Sequence, residues 1–248
     1  NLFALLSGSQ IRESHRSCSR VQDAYSLRCT PQVHGACRDA LAHLRAKLAI
    51  EINSATDNPM VLADGRVVSG GNFHGAALAA AFDYAATALT DLASISERRS
   101  ARLVTPEQSG LPAFLVPEPG LNSGFMMAHV TAAALVSECK TLAHPAAVDS
   151  IPTSAGREDH VSMGTWAARK LAMIVENLRF VLAVELLEAA QGIELRRPLR
   201  SSPALERALA RLREQVPFLQ RDRFLHADIL KAAAVLGELS PEELLAAS

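Results

Sequence analysis

The chain has 248 residues, with 25 basic and 26 acidic side chains and a formal net charge of -1. Hydrophobic residues make up 49% and charged residues 21%, a composition that can bury a full core without disulfide or metal staples. No basic stripe is present, which argues against a nucleic-acid partner. No apolar run approaches the roughly 18 residues that a membrane span needs, so a cytoplasmic protein without a membrane partner is expected.

The elements follow in chain order. The opening residues have no Met and read like the interior of a longer protein. In "VQDAYSLRC", Gln22, Tyr25 and Arg28 stand three residues apart, a spacing that predicts one shared helical face. A helix is predicted from His34 to Ala55, stopping where Asn58-Pro59 disfavours continuation. Two β-branched runs around Asp64-Gly65 predict a hairpin. Helical patterning resumes from His74 to about Arg98, and prolines and glycines then predict a loop over 103–124. The segment from Phe125 to about Ala143 is almost wholly apolar, which predicts a helix buried on most sides.

After a polar loop, one pattern runs from Asp159 to about Arg197. Its apolar stripe passes through Leu171, Ile174, Val175, Leu178, Val181, Leu182, Leu186 and Ala189, with Glu185 as the single polar member. Three shorter helices are expected beyond it: Pro203 to Gln215 with Ser202 as cap, one after Asp222, and one opening at "SPEE". The fold class is therefore all-α, an elongated antiparallel bundle with a very long central helix. Residues 1–198 form the bundle part carrying the site loops, and 199–248 a C-terminal helical segment.

The four cysteines, Cys18, Cys29, Cys37 and Cys139, match no zinc spacing and are expected as buried or half-buried free thiols in a reduced compartment. The eight histidines form neither an HxxxH pair nor an HExxH motif, so no metal is expected.

Four blocks carry a specific resemblance: "SHRSCSRVQDAYSLRCTPQVHGA" at 14–36, "SGGNFHG" at 69–75, "GLNSGFMMAHVTAAALVSECK" at 120–140 and "HPAAVDSIPTSAGREDHVSMG" at 144–164. In this order they resemble the C-terminal half of the aromatic amino acid ammonia-lyase family, in its histidine-using branch. The likeness weakens only after about residue 198. It implies a homotetramer, with an N-terminal domain absent from this chain. It also implies a methylidene-imidazolone (MIO) electrophile, built by cyclising an Ala-Ser-Gly tripeptide. No Ala-Ser-Gly occurs here: Ser154-Ala155-Gly156 has the wrong order, and Ala93-Ser94 is followed by Ile95.

The implied reaction is loss of ammonia from L-histidine to give trans-urocanate. By resemblance, Arg28 holds the substrate carboxylate, which a guanidinium fork matches bidentately. Tyr25 acts in acid–base chemistry, Gln22 orders the substrate or the electrophile's carbonyl, and Phe73 walls the site. Asn72, His74 and Asn122, with Ser123, are further candidates. Glu158 stands where histidine lyases carry Glu and where tyrosine and phenylalanine lyases carry Gln. A carboxylate pairs with an imidazole and is a costly neighbour for a phenyl ring, so Glu158 is expected to select histidine and to help as a base. Arg157 departs from the family pattern and could pair with Glu158. Two alternatives stand: a tyrosine or phenylalanine lyase or aminomutase, and a non-catalytic helical assembly fragment.

Overall fold

The computed structural model describes residues 2–18 and 21–246. Its helices are α1 (Leu2–Leu5), α2 (Gln10–Glu13), α3 (Tyr25–Arg28), α4 (Thr30–Glu51), α5 (Ala76–Val104), α6 (Pro106–Ser109), α7 (Met126–Leu142), α8 (Gly164–Leu195), α9 (Pro203–Gln215), α10 (His226–Glu238) and α11 (Pro241–Ala246). The described strands are β1 (Met60–Val61) and β2 (Val67–Val68), an antiparallel hairpin in which Met60 faces Val68. Among the described residues the fold is all-α apart from this hairpin, as expected. Among the described residues, no helix is long and apolar enough to cross a membrane.

Several boundaries differ from expectation for local reasons. The longest helix, α8, has 32 residues and begins at Gly164, not at Asp159. Met163 takes φ 58°, a left-handed backbone that a right-handed helix cannot contain. Helix α5 continues to Val104 and stops at the residue pair before Pro106. Helix α4 starts at Thr30, because Pro31 suits a first helical turn. Ser202 caps α9 as expected, accepting from the Leu205 amide at 3.3 Å.

Two packing expectations need correction. Helix α7 is buried along one face only, at Ala128, Ala132, Val136 and Cys139, while Met127 is 58% exposed. Its small residues face the interior at steps of three and four, and on the opposite side Val130 is exposed as well. The buried stripe of α8 runs through Ile174, Leu178, Val181, Val184, Leu187 and Gln191, and Val175 is exposed. Glu185 is half-buried against Arg99. Of the free cysteines, Cys37 and Cys139 are buried, but Cys18 is exposed.

The chain divides into two compact units. The first comprises Asn1–Thr30, Ala93–Val136 and Leu178–Ser248. Its core holds Leu115, Val181, Leu187, Leu212 and Leu219, all nearly inaccessible, and each such side chain contributes about 1.5–3 kcal/mol on burial. At its centre the Gln191 carboxamide donates to the carbonyls of Leu115 at 3.0 Å and Leu219 at 2.9 Å, and accepts from the Leu219 amide at 3.0 Å.

The second unit comprises Pro31–Leu92 and Ser137–Asn177. Its core is rich in alanine, with Ala40, Ala79, Ala85, Ala146 and Ala167 fully buried; small side chains let helices approach closely. Within it Asp83 and Lys170, both buried, stand 3.9 Å apart. The Ala147 amide donates to Asp83 at 2.8 Å, and Lys170 donates to the His144 carbonyl. These bonds pin the start of the loop that leads to Glu158.

Candidate active site

In the first unit, α3 is a single turn. Ala24 enters it in an extended conformation, and Ser26 is its one buried residue. Tyr25 is 70% exposed, and the Arg28 guanidinium lies 4.9 Å from its ring centre, a cation–π contact. Stacking holds the Arg28 fork in place without occupying its carboxylate-binding edge. Gln22 sits in the bend before α3, so the expected common helical face does not form: a one-turn helix is too short to include it. Ser19 and Arg20, from the same sequence block, lie outside the described residues.

In the second unit, residues 69–75 form a tight loop after β2. The Asn58 side chain accepts from the Ser69 hydroxyl and the Gly70 amide, both at 3.0 Å. Asn72 donates to the Ala55 carbonyl at 2.8 Å, so its amide secures the loop. Gly75, at φ 73°, turns the chain into α5. The loop presents Phe73, 53% exposed, and His74. Both line a cavity of 720 Å³, together with Glu51, Met163, Trp166 and Arg169. Reading the sequence missed Trp166 and Arg169, whose guanidinium stacks 5.6 Å from the indole. The available signal was the chain's single tryptophan, a residue type that tends to sit where an apolar body and a polar edge are both useful.

Glu158 is carried by a strained turn. Ser154, Ala155 and Gly156 all have left-handed backbone, with φ of 49°, 54° and 81°, at a cost of about 1–2 kcal/mol for each non-glycine residue. The turn folds Glu158 back on Thr153: the Thr153 amide donates to the Glu158 carbonyl at 3.0 Å, and the Thr153 hydroxyl donates to the Glu158 carboxylate. Hydrogen bonds from the Thr153 and Ser154 side chains hold this carboxyl below its ordinary pKa, so it is a carboxylate at neutral pH and a weakened base in this conformation. Among the described residues the Glu158 carboxylate is held by the Thr153 and Ser154 hydroxyls, with no ion pair to Arg157. Glu158 does not line the 720 Å³ cavity. His160, two residues on, reaches the loop that does: His74 Nε2 lies 2.9 Å from its carbonyl.

Asn122 belongs to the first unit and secures a loop. Its side chain donates to the Pro117 carbonyl at 3.2 Å and accepts from the Asp222 amide at 3.1 Å. The Asp222 carboxylate in turn accepts from the amides of Ser123 and Gly124, both at 2.8 Å, where a carboxylate suits the N-terminal end of α7. Among the described residues, no group of three or more histidine, cysteine or acidic side chains could hold a metal ion.

The structure thus gathers Tyr25 with Arg28 in the first unit, and Phe73 with His74 in the second, where the Glu158 turn also lies. Residues 1–214 match the sequence profile of the aromatic amino acid lyases. The chain belongs to the aromatic amino acid lyase family. It is 58% identical over 241 residues to a histidine ammonia-lyase of Anaeromyxobacter sp. (strain K), covering 96% of this chain and 47% of that protein. The crystal structure of histidine ammonia-lyase from Trypanosoma cruzi superposes with a TM-score of 0.87 at 47% identity, covering 99% of this chain and 46% of that one. The tyrosine aminomutase of Streptomyces globisporus gives 0.84 at 38% identity, covering 98% of this chain and 50% of that one. The chain spans about half the length of the curated relatives it matches.

Proposed function

We propose that this chain is the C-terminal part of a histidine ammonia-lyase, which removes ammonia from L-histidine to give trans-urocanate. The observation that carries the reading is Glu158 presented on its own turn, in a chain 58% identical to histidine ammonia-lyases over 96% of its length. An ionised carboxylate held by Thr153 and Ser154 is matched to an imidazole N–H or imidazolium. It would be stranded against a phenyl ring, which disfavours the tyrosine and phenylalanine alternatives.

The family points to MIO-dependent chemistry. When bound, that electrophile activates the amino acid toward loss of ammonia. The donor set fits it: a carboxamide at Gln22 and a phenol at Tyr25 can both donate to a carbonyl, and both are exposed. No Ala-Ser-Gly stands in these 248 residues, so the group would come from an N-terminal half. The isolated chain is then a helical scaffold without turnover.

This chain's residues divide the remaining work. Arg28, steadied on Tyr25, holds the substrate carboxylate. The Tyr25 hydroxyl exchanges a proton with the substrate, which needs a base because its β-proton is barely acidic. Gln22 orients the amino acid, Phe73 walls its ring, and Glu158 pairs with the imidazole. Asn72 and His74 hold the loop that carries Phe73, and Asn122 secures the loop before α7. The partners in this reading are L-histidine, the N-terminal half and the other subunits of a homotetramer. Residues 1–198 form the site-bearing part and 199–248 the C-terminal segment.

The test is ultraviolet absorbance after joining the chain to an N-terminal half bearing Ala-Ser-Gly. Growth of a conjugated acrylate with L-histidine, and little with tyrosine or phenylalanine, supports the proposal. Preference for tyrosine or phenylalanine replaces the substrate. An assembled tetramer inactive on all three favours the scaffold reading.

A further inference from the structure

Two loops of the second unit meet at one pair of imidazoles. His74 Nε2 lies 2.9 Å from the carbonyl oxygen of His160, across 86 residues of sequence. The two rings stack with centroids 5.6 Å apart and planes 11° from parallel. A carbonyl can only accept, so this bond requires the proton on Nε2. The contact therefore fixes one tautomer of His74 and leaves Nδ1 as the lone-pair nitrogen of the neutral ring.

The neighbours of this pair give it a purpose. His74 adjoins Phe73, and both line the 720 Å³ cavity. His160 lies two residues after Glu158, a chain length of at most roughly 7 Å. The next residue is also held, since the Val161 amide donates to the Ser150 hydroxyl at 2.8 Å. Gly75 packs close to the same loop, since a Cβ added there would lie 3.6 Å from the Ser162 hydroxyl. The aromatic wall and the acid thus sit on separate loops, and among their described hydrogen bonds the His74–His160 bond ties one loop to the other.

We propose that His74 is a positioning residue: its Nε2–H bond to the His160 carbonyl, reinforced by ring stacking, sets the Phe73 loop against the Glu158 loop and so tunes which substrate side chain the enzyme accepts. The latch itself stands on the geometry. Its effect on selectivity rests on the ammonia-lyase reading.

The experiment has three readouts. In the chain labelled with 15N-histidine, the His74 ring should show the Nε2-protonated tautomer, and an Nδ1-protonated neutral ring overturns the latch. Amide exchange over 69–75 and 158–163 should accelerate at least tenfold in His74→Phe, which keeps a ring but loses the donor. It should stay within threefold in His74→Gln, which keeps a donor of similar reach. Equal protection in His74→Phe and the parent chain overturns the proposal, as does equal acceleration in both variants. In the assembled enzyme, His74→Phe should lower kcat/KM for L-histidine relative to L-tyrosine at least tenfold, and His74→Gln should restore the ratio. An equal loss on both substrates overturns the selectivity role. If the unsubstituted assembled enzyme turns over neither amino acid, the lyase reading fails, and the first two readouts alone decide the latch.

Discussion

Gln191 and Leu219 exchange two hydrogen bonds: the carboxamide donates to the Leu219 carbonyl at 2.9 Å and accepts from its amide at 3.0 Å. A side chain thereby satisfies a backbone segment that has no helix or strand of its own. The third bond, to the Leu115 carbonyl, ties the short 3-10 turn Ala113–Leu115 to the same point on α8. Replacing Gln191 with Leu keeps the volume and strands these backbone groups. Each buried unmet group costs about 1–3 kcal/mol, so Gln191→Leu should lose roughly 3 kcal/mol or more in urea denaturation. A loss under about 1 kcal/mol would show that water replaces the bonds.

Glu188 should make stability depend on pH. It is fully inaccessible. Burial pushes its pKa up to about 8, with the negative charges of Glu185 and Glu97 adding to the rise and Ser100 opposing it. From about pH 4.5 to 8 the folded chain then holds a proton that the unfolded chain has released. Stability is greatest at the acid end of that window and falls as pH rises through it, by up to roughly 1.4 kcal/mol per pH unit for one proton. Denaturation midpoints of Glu188→Gln should lack this slope. An unchanged slope would assign the proton elsewhere.

Gly124→Ala should be strongly destabilising. Gly124 has φ 54°, and a Cβ there would lie 2.5 Å from the Phe114 carbonyl oxygen. Both the left-handed backbone and the collision with main chain oppose any side chain. A drop of several kcal/mol is expected, seen as a lowered Tm, and a Tm within a few degrees of the parent would contradict the close approach.

Glu158→Gln should cut kcat/KM for L-histidine in the assembled enzyme about tenfold or more, since the substrate imidazole loses a charge-assisted partner. Turnover of tyrosine or phenylalanine should hold or rise. An equal change for all three substrates would remove Glu158 from substrate selection.

Arg28→Lys keeps the charge and loses the planar fork and the stack on Tyr25. The KM for L-histidine should rise about tenfold or more while the chain remains folded. Little change in KM would mean that another cation holds the carboxylate.

The sequence showed some of this clearly and hid the rest for physical reasons. Proline and glycine punctuation placed the hairpin, α9 and its Ser202 cap, because turn chemistry is local. Periodicity misjudged α7 and the α8 stripe, because it reports which residues are apolar and not which are covered. The left-handed residues Ser154, Ala155 and Met163 are invisible to propensity, which expects glycine there, so the Glu158 turn and the true start of α8 emerged only in three dimensions. Gln22, Tyr25 and Arg28 were legible as a polar group, yet the shared helical face their spacing predicts does not form, since helix length cannot be read from spacing alone. Trp166 and Arg169 went unnoticed because they stand on an ordinary helical surface until the loop bearing Phe73 closes a cavity over them.

The buried Asp83–Lys170 pair also bears on how this sequence can change over time. Each partner anchors the backbone before the Glu158 loop as well as the other charge. Losing either one alone leaves a desolvated ion, a penalty of about 3–5 kcal/mol that takes up a large part of a typical fold's margin. Routes of drift through either single substitution are therefore closed, and the two positions, 87 residues apart in sequence, are expected to vary as one unit or not at all.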